Sequence, residues 1–516
     1  MLALSFPKFG HPALAWVALT PLIVAVVQPS AEAGATRRAF FLGLTTGALY
    51  FAGTLYWLVE TMTTFGGLPT AVALFAAAAL VAYLSLFPAA FAVVLARLRS
   101  RGGFRLALWC AAPAWMASEL GRQYVWDGFP WALLGYSQVT NLPVAQLASV
   151  TGVYGLSGLL ALTSAAAAFA IVGRGRERWS VVAGAVAIVA VIAGWGGVRM
   201  AGETLTQAGA PVRVAVLQGN IAQDDKWDPA LRDAIIGRYI GQTRDAIARG
   251  ATFILWPESS LPVYFEDDTL RSTVIRKLAQ DAGVTLLIGS DQLERPTPTT
   301  PYDSPDNRLY NAAFLVRPDG TTAAVYRKMQ LVPFGEYVPL QRLLFFVGPI
   351  VESVSNFAPG TEAAVLPVGA HRASTAICYE VIYGSLIRRF VENGSELLTT
   401  ITNDAWYGRS SAAYQHWDQA TMRAIENGRY LARSANTGVS GFVDPYGRVL
   451  QKSALFEQAT LVGDIRFIQE RTLYSRAGDL IAWLSLAFTI AALLAARRSA
   501  GIPPKPQPSD ASTIEG

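Results

Sequence analysis

The apolar residues of this 516-residue chain are concentrated in separate segments, and this uneven distribution constrains the fold more than any other feature. Hydrophobic residues make up 52% of the sequence and charged residues only 15%, whereas a soluble protein carries about 25% charged residues. Most of the segments have the roughly 20 residues of helix that a bilayer crossing takes. They lie near residues 12–28, 38–59, 71–96, 105–120, 147–173, 179–200 and 478–496. The sequence therefore predicts a multi-span α-helical membrane protein.

The stretch between the sixth and seventh segments has the composition of a globular domain. We therefore predict four parts. They are a helical membrane domain over 1–205, a globular domain over 206–475, a C-terminal transmembrane helix over 476–498 and a disordered cytoplasmic tail over 499–516. The tail is rich in Pro and Ser, which is typical of disorder. Two cysteines are too few for a disulfide framework.

Arginine residues mark the predicted cytoplasmic side. They cluster on alternate connections between the apolar segments, at 37–38, 97–105, 174–178 and 497–498. The loops between these connections hold almost no Lys or Arg, with Arg122 as the exception. Because cytoplasmic loops carry an excess of Lys and Arg, we predict an external globular domain and a cytoplasmic C-terminus. The N-terminus is then external, or a further span precedes the first segment, so seven and eight spans both stay open.

An aromatic-rich loop over residues 121–137 permits two interpretations. Trp and Tyr concentrate at membrane–water interfaces, so the loop fits a position at the lipid surface. Alternatively, its aromatic side chains line a path by which lipid enters the globular domain. These side chains are Trp126, Phe129, Trp131 and Tyr136.

Predicted strands and helices alternate within the globular domain. Apolar runs predict strands near 212–218, 252–256, 285–290, 311–316, 321–326, 371–378, 397–402, 429–435 and 439–443. Helices are predicted near 229–248, 268–282, 382–394 and 413–427. This alternation is typical of an α/β or α+β layered sheet. The sequence has no phosphate-binding glycine motif and no metal-ligand cluster, and we interpret His416 as a polar packing residue.

Three chemically active residues each follow a predicted strand or hairpin: Glu258, Lys328 and Cys378. Strand ends on one edge of a sheet converge even when they are far apart in sequence. A thiol becomes a nucleophile when it loses its proton, a carboxylate beside it can act as base and then as acid, and a lysine can stabilise an oxyanion. The three together predict an acyl-transfer site. Each alone has an ordinary explanation, since most free cysteines are small buried hydrophobes and most Glu and Lys are solvated.

Four stretches around these residues resemble the nitrilase (carbon–nitrogen hydrolase) superfamily and, within it, the membrane-bound apolipoprotein N-acyltransferase family. They are Trp256-Pro257-Glu258, Arg327-Lys328 followed by LVPFGEYVP at 331–339, Ile377-Cys378-Tyr379-Glu380 and NDAWYG at 403–408. The LVPFGEYVP and NDAWYG stretches are specific to the membrane branch, whereas a plain nitrilase would match only the three single residues. The resemblance covers nearly the whole chain. One position departs from it, because the family often has His where this chain has Gln330.

The resemblance implies a fold, a reaction and a cellular location. The fold is a multi-span α-helical membrane domain plus an α/β nitrilase-like αββα sandwich outside the membrane. The enzyme would be an acyltransferase of the bacterial inner membrane, with its catalytic domain on the periplasmic side. It would move an acyl chain from a membrane phospholipid to the N-terminal diacylglyceryl-cysteine of an apolipoprotein. The transfer would be ping-pong, through a thioester, with no cofactor and no metal.

The resemblance also implies roles for individual residues. Cys378 would be the nucleophile, Glu258 the general base and acid, and Lys328 the group that stabilises the tetrahedral intermediates. Glu336 would be a further active-site carboxylate that orients Lys328. The remaining residues would shape or border the pocket, and they are Tyr379, Glu380 and Trp406.

Two other functions stay open at this point. A membrane-tethered amidase would hydrolyse C–N bonds with the same three residues, because they set up the thioester and do not decide its fate. The other is a membrane scaffold with a catalytically dead domain. Loss of any of the three residues would have supported it, and all three are present. The apolar loop at 345–351 is either a gate to the site or a packing segment. Nucleic-acid binding is not indicated, because the arginines follow the sides of the membrane and form no basic face.

Overall fold

The computed structural model describes residues 1–28, 34–126, 128–333, 335–337 and 357–499. Two of the predictions fall outside these residues. They are the gate or packing role of the loop at 345–351 and the disordered tail beyond residue 499.

Helices make up most of the first 207 residues and recur later in the chain. The α-helices are α1 (Thr20–Val27), α2 (Ala35–Thr54), α3 (Trp57–Glu60), α4 (Thr70–Trp109), α5 (Ala111–Tyr124), α6 (Leu142–Ala145), α7 (Ala148–Val172), α8 (Glu177–Ala201), α9 (Thr204–Gln207), α10 (Arg232–Ala248), α11 (Thr269–Ala282), α12 (Gly384–Glu392), α13 (Ala412–Asn427), α14 (Leu473–Ala477) and α15 (Leu480–Ser499). α11 shows how such a helix is bounded. The Asp268 side chain accepts a hydrogen bond from the backbone N–H of Arg271 at its start, and Gly283 ends it in the left-handed conformation.

Four of the described helices, α4, α7, α8 and α15, are long and apolar enough to cross a membrane. α2, α3 and the helical turn Thr61–Phe65 make a fifth candidate, which is bent by 52°. The predicted segments near 12–28 and 105–120 fall on shorter helices. The latter is divided between α4 and α5, because α4 continues through the arginines at 97–105 and is interrupted only at Gly103, where φ is 77°. Arginine is a good helix former and does not end a helix.

The strands form two six-stranded sheets. They are β1 (Ala210–Gln218), β2 (Phe253–Leu255), β3 (Thr285–Glu294), β4 (Arg308–Val316), β5 (Thr322–Arg327), β6 (Leu366–Val368), β7 (His371–Ile377), β8 (Leu397–Thr402), β9 (Leu431–Ala435), β10 (Gly441–Val443), β11 (Val449–Lys452) and β12 (Ala459–Phe467). The order is β12-β1-β2-β3-β4-β5 in the first sheet and β11-β10-β9-β8-β7-β6 in the second. Both follow one plan, in which three parallel strands (β1–β3 and β7–β9) are flanked by antiparallel ones.

The two sheets share one apolar core, and helices cover them. Along β1, Val214 and Val216 belong to the core that includes the second sheet, whereas Ala215 and Leu217 belong to a separate core under α10 and α11. This alternation is what a strand with both faces buried requires. On the side of the second sheet, α13 packs on β9 and also on the membrane helix α7. The globular part is thus a layered sandwich that rests on the helical part through α13.

Candidate active site

Glu258, Lys328 and Cys378 follow strands that end at one edge of the two sheets. Glu258 comes three residues after β2, Lys328 directly after β5, and Cys378 directly after β7. β2 and β5 run in the same direction, because two successive antiparallel pairings separate β5 from β3, which is parallel to β2. Their carboxyl ends therefore lie at the same edge, and all three side chains are buried there.

A glycine in the neighbouring strand allows Glu258 to reach this edge. A Cβ atom at Gly289 of β3 would lie 2.1 Å from the carbonyl oxygen of Pro257 and 2.8 Å from the Cα atom of Glu258. Both distances are shorter than van der Waals contact permits. The segment that carries Glu258 can therefore lie against β3 only because position 289 has no side chain.

Glu258, Asn311, Lys328 and Glu336 form a buried group that we name the lysine cluster. The Nζ atom of Lys328 lies 2.8 Å from Oε1 of Glu336 and 3.4 Å from Oε1 of Glu258. The Nδ2 atom of Asn311 donates hydrogen bonds to the same two oxygens, at 2.7 Å to Glu258 and 3.0 Å to Glu336. One cation and one amide thus hold two carboxylates in place.

The carboxyl group of Glu258 is ionised at neutral pH. Burial alone raises its pKa, but the charges of Lys328 and Lys226 and a hydrogen bond from Asn311 bring the pKa below its ordinary value. The backbone N–H of Asn403 adds a hydrogen bond to Oε2 at 2.8 Å. Glu258 is therefore a carboxylate that can accept a proton.

Two buried lysines flank this carboxylate. Burial lowers the pKa of Lys328, but the attraction of Glu336 and Glu258 raises the pKa well above its usual value, so Lys328 remains a cation. Lys226 is buried as well, and its Nζ atom donates to the backbone carbonyl of Glu258 at 3.3 Å.

The thiol of Cys378 is protonated at neutral pH. Burial raises its pKa well above the usual range and the negative charge of Glu258 raises it further, while Lys328 and a hydrogen bond with Thr402 lower it only in part. A neutral thiol thus lies within the electrostatic reach of an ionised carboxylate and a cation. In such a group the proton can pass from sulfur to oxygen while sulfur attacks.

The backbone at Cys378 is left-handed, with φ of 52°, which costs a non-glycine residue roughly 1–2 kcal/mol. Glu380 supports this turn. Its Oε2 atom accepts from the backbone N–H of Ile377 at 2.7 Å, while Oε1 accepts from the Tyr326 hydroxyl and the backbone N–H of Met329, each at 2.7 Å. The buried carboxyl group of Glu380 therefore connects the turn after β7 to the end of β5 in the other sheet.

A second buried group, which we name the histidine cluster, lies beside the same turn and consists of Asp404, His416 and Arg433. The Nε2 atom of His416 lies 3.1 Å from the carbonyl oxygen of Cys378. Its Nδ1 atom lies 3.0 Å from Oδ1 of Asp404 and 2.9 Å from Nη2 of Arg433. Arg433 Nη2 also donates to Oδ2 of Asp404 at 2.8 Å. None of the three side chains has exposed surface.

Aromatic side chains from the helical part lie against the turn. The ring of Tyr379 packs on Phe129 and Trp131, with ring centroids 6.3 and 6.5 Å apart. Trp131 is buried and donates from Nε1 to Oε1 of Gln415 at 2.7 Å, whereas Trp126 is 76% exposed. The stretch at 121–137 is therefore exposed only around Trp126 and buried on either side, at Arg122 and at Trp131. A position at the lipid surface describes only the exposed part.

The segment after β8 continues this aromatic wall. Tyr407 packs on Trp57 of α3 at 5.1 Å and on Trp131 at 5.9 Å. Trp406 is 37% exposed and packs on Phe65, which follows α3, at 5.9 Å. Trp406 thus contacts the bent membrane segment, while its neighbour Tyr407 lies inside.

The predicted site residues fall into three places. Glu258, Lys328 and Glu336 share the lysine cluster. Cys378, Tyr379 and Glu380 share the turn after β7, and Trp406 borders the helical part. Among the described residues, no group of three or more His, Cys, Asp or Glu side chains is arranged to hold a metal ion.

Sequence reasoning missed two members of the site. Asn311 is the polar residue at the start of the run NAAFLV, and it pairs with Asp291 across β3 and β4. A polar pair at the point where the apolar runs of two paired strands end is a signal that could have indicated it. Lys226 lies in an irregular polar loop after β1, and no periodicity or motif distinguishes it there.

Comparison with known proteins gives matches over both parts of the chain. A family model described as the apolipoprotein N-acyltransferase N-terminal domain matches residues 1–166, and one described as carbon-nitrogen hydrolase matches residues 213–472. A Geobacter metallireducens protein named apolipoprotein N-acyltransferase is 40% identical and covers 96% of this chain and 94% of its own length. A Pseudomonas putida protein of the same name is 36% identical, over 88% of each chain. An amidase from Nesterenkonia sp., of solved structure, is 22% identical over 52% of this chain and 95% of its own, with a TM-score of 0.38.

Proposed function

Because the chain belongs to the apolipoprotein N-acyltransferase family, we propose that it N-acylates apolipoproteins by ping-pong transfer through a thioester on Cys378. The acyl donor is a membrane phospholipid. The acceptor is the free α-amine of an N-terminal diacylglyceryl-cysteine. The globular part has the nitrilase-like αββα fold of the carbon–nitrogen hydrolases.

The observation that carries this proposal is the contact between the turn at Cys378 and the helical part. The residue next to the thiol, Tyr379, packs on Phe129 and Trp131 of the loop between two membrane-part helices. Removing an acyl chain from a bilayer costs about 0.8 kcal/mol for each CH₂ exposed. A nucleophile that packs on side chains of the membrane part can receive a lipid ester without that cost. A soluble amidase acts on substrates in water and does not require this contact.

The first half-reaction uses the charges of the lysine cluster. As the sulfur of Cys378 attacks the ester carbonyl carbon, its proton passes to Glu258, and Lys328 stabilises the oxyanion that forms. The C–O bond of the ester then breaks. Glu258 returns the proton to the departing oxygen, so lysophospholipid leaves with a hydroxyl and the acyl chain stays on sulfur. Glu336, at 2.8 Å from Lys328, orients that cation.

The second half-reaction repeats these roles with an amine. The nitrogen of the diacylglyceryl-cysteine attacks the thioester carbon, and Glu258 accepts a proton from the nitrogen. When the C–S bond breaks, Glu258 gives that proton to the departing sulfur, so the neutral thiol is restored. Because the same carboxylate serves both steps, its ionised state in the resting protein suits the start of each.

The placement in the membrane is part of the proposal. The globular part lies on the periplasmic side of the bacterial inner membrane, with the C-terminus in the cytoplasm. The domains are the helical part over 1–205, the catalytic part over 206–475 and the terminal helix over 476–498. The arginine clusters at 37–38, 97–105, 174–178 and 497–498 support this orientation.

Mass spectrometry of the purified full chain tests the proposal. The protein and a Cys378→Ala variant are incubated with dipalmitoyl phosphatidylethanolamine in detergent micelles and digested. We expect a palmitoyl mass on the Cys378 peptide that hydroxylamine removes, and no such mass in the variant. A diacylglyceryl peptide with a free α-amine should then discharge the thioester and gain the same mass.

Two other outcomes would overturn the proposal in different ways. A thioester that water discharges as fast as the amine peptide would indicate a membrane-tethered amidase. No adduct on the folded wild-type protein, with Glu258→Gln equally silent, would indicate a scaffold with a catalytically dead domain.

A further inference from the structure

We infer that His416 is a positioning residue, whose Nε2–H group holds the carbonyl oxygen of Cys378 and thereby fixes the backbone turn that presents the thiol. This inference rests on the proposed role of Cys378 as the nucleophile. His416 lies 38 residues beyond Cys378, in the buried helix α13. The Nε2 atom and the carbonyl oxygen are 3.1 Å apart.

The neighbours of the imidazole determine where its proton lies. A carbonyl oxygen can only accept a hydrogen bond, so Nε2 must carry a hydrogen. Nδ1 lies between a donor, the Nη2 group of Arg433 at 2.9 Å, and an acceptor, Oδ1 of Asp404 at 3.0 Å. The contact with the carbonyl oxygen therefore makes Nε2 the donor, whichever of these two groups Nδ1 serves. Burial and the charge of Arg433 lower the pKa of His416, which favours a neutral ring.

The other two members of the histidine cluster fix the ring in this orientation. Burial alone would raise the pKa of Asp404, but the Arg433 guanidinium and His416 hold it well below its usual range. The carboxylate also accepts from the Thr402 hydroxyl at 2.8 Å. The Nε atom of Arg433 donates to the backbone carbonyl of Val439 at 3.2 Å. A fully buried ion pair, itself held by backbone and hydroxyl groups, leaves the imidazole little freedom to turn.

The turn at Cys378 needs such a fixed partner. Its φ of 52° lies in the left-handed region, and Glu380 supports it through the N–H of the preceding residue. His416 is the side chain that contacts the carbonyl of Cys378 itself. Trp131 stacks on the imidazole, with centroids 5.6 Å apart and 27° between the planes. The ring thus lies between the membrane-part aromatics and the nucleophile, without taking part in proton transfer to the thiol.

Two amide substitutions separate this role from simple packing. The side-chain nitrogen of Gln can occupy the place of the imidazole Nε2, whereas that of Asn is shorter by one methylene and can occupy only the place of Nδ1. We expect His416→Asn to lower the maximal rate of palmitoyl-enzyme formation from dipalmitoyl phosphatidylethanolamine by about 100-fold, because displacement of a reacting group by about 1 Å costs that much. His416→Gln should recover at least about tenfold of this loss. The apparent KM for the phospholipid should change by less than about twofold in both, because neither substitution alters a group that binds lipid.

A second measurement does not depend on acyl transfer. The rate at which iodoacetamide alkylates Cys378 reports how the thiol is presented, and it should follow the same order of wild type, then Gln, then Asn. Melting temperatures of both variants in the same micelles show whether they are folded. His416→Phe serves as a third variant, which keeps an aromatic ring against Trp131 and has no donor, and it should behave like His416→Asn.

The outcomes distinguish this inference from the proposed function. Equal rates for the Gln and Asn variants, in acylation and in alkylation, would overturn the positioning role even if both variants are less stable. A wild-type protein that is alkylated at Cys378 but never acylated would instead overturn the proposed function. If acylation falls in His416→Asn only through a higher KM, the histidine affects lipid binding and the inference is wrong.

Discussion

The lysine cluster and the histidine cluster lie beside the same nucleophile turn and are both buried and charged, yet their surroundings differ. In the lysine cluster, the side chains of Glu258 and Glu336 keep 8% and 11% of their surface exposed, and both carboxylates pair with Lys328. In the histidine cluster no side-chain surface is exposed, and the outer contacts go to backbone carbonyls and to the Thr402 hydroxyl. Of the two clusters, only the lysine cluster combines partly exposed carboxylates with a shared cation, which together allow a carboxylate to gain and lose a proton.

This difference indicates two uses for buried charge. A buried ion pair adds little net stability, but removing one partner is costly because it leaves an unpaired charge. In the histidine cluster that property produces rigidity, since neither Asp404 nor Arg433 can lose its partner without a large penalty. In the lysine cluster two carboxylates share one lysine, so one of them can be protonated during a reaction while the other still neutralises the cation. We therefore expect substitutions in the first cluster to change rates, and substitutions of the ion pair in the second cluster, Asp404 and Arg433, to change stability first, whereas His416 affects the rate through its contact with the nucleophile turn.

The largest expected effect is on rate, from Glu258→Gln. The amide keeps the shape of the side chain and removes the base, so acyl-enzyme formation should slow by about 1,000-fold. The melting temperature should change little, because Glu336 still pairs with Lys328. Time-resolved mass spectrometry of the Cys378 peptide measures the rate. The exposed Glu457→Gln is the matched control and should leave it unchanged.

The result that would contradict the comparison is a Glu258→Gln protein that unfolds early and shows a normal rate when folded. The lysine cluster would then be a structural group like its neighbour.

The second effect is on stability, from Asp404→Ala. Arg433 would be left buried and without its ion-pair partner, which should cost about 3–5 kcal/mol of unfolding free energy. The shift in melting temperature measured by scanning fluorimetry in detergent reports this loss. Asp464→Ala is the control, because Asp464 makes a similar ion pair, to Arg213 at 3.5 Å, with 71% of its side chain exposed. It should cost less than about 0.5 kcal/mol. An Asp404→Ala protein that melts like wild type would show that this ion pair does not stabilise the fold, and it would contradict the contrast between the two clusters.

A contrast between buried and exposed strands explains how much of the fold could be predicted. Strands with a long buried run were predicted to within two residues: β8 is buried throughout, and β1 and β7 are buried over their last five residues. β12 was missed although it pairs with β1 over nine residues, because Asp464 and Arg466 point to solvent and interrupt its pattern. β11 is exposed throughout, and β6 has three residues including Pro367. Edge strands of this kind are fixed by pairing with a neighbour, which a single sequence does not display.

The candidate site follows a similar rule. Glu258, Lys328 and Cys378 stand at the ends of recognisable strands, so their convergence could be predicted from alternation alone. Asn311 contacts Glu258 and Glu336, His416 contacts the Cys378 carbonyl, and Arg433 pairs with Asp404, and each of these contacts joins residues 25 or more positions apart. The sequence shows that these residues are polar within apolar surroundings, but it does not show which partner satisfies each one. Tertiary packing supplies that information.

A third prediction concerns pH and the ionised state of Glu258. Because the pKa of its carboxyl group is lowered, the base form persists as pH falls, and acylation should decline only below the ordinary carboxyl pKa of about 4.3. Asn311→Asp replaces a hydrogen-bond donor with a third carboxyl beside Glu258 and Glu336. Like charges favour protonation, so the acidic limb of the rate profile should move up by about one pH unit. Asn311→Leu, which removes the donor without adding charge, is the control and should shift the limb by less. An unchanged limb in Asn311→Asp would mean that another group limits the rate at low pH.

The smallest expected effect is at Gln330, the position at which this chain departs from the family pattern. Gln330 supports the turn through its backbone N–H, which lies 3.1 Å from Oε1 of Glu380. Every residue except proline supplies that donor, so Gln330→His should keep the contact and change the acylation rate by no more than about threefold. Gln330→Pro removes the donor and should slow the reaction, because Glu380 loses one of the hydrogen bonds with which it connects the two sheets. If Gln330→His instead raised the rate by tenfold or more, the side chain at position 330 would take part in the reaction. It would then belong with the lysine cluster, and the reactive cluster would include a residue beyond the four that define it.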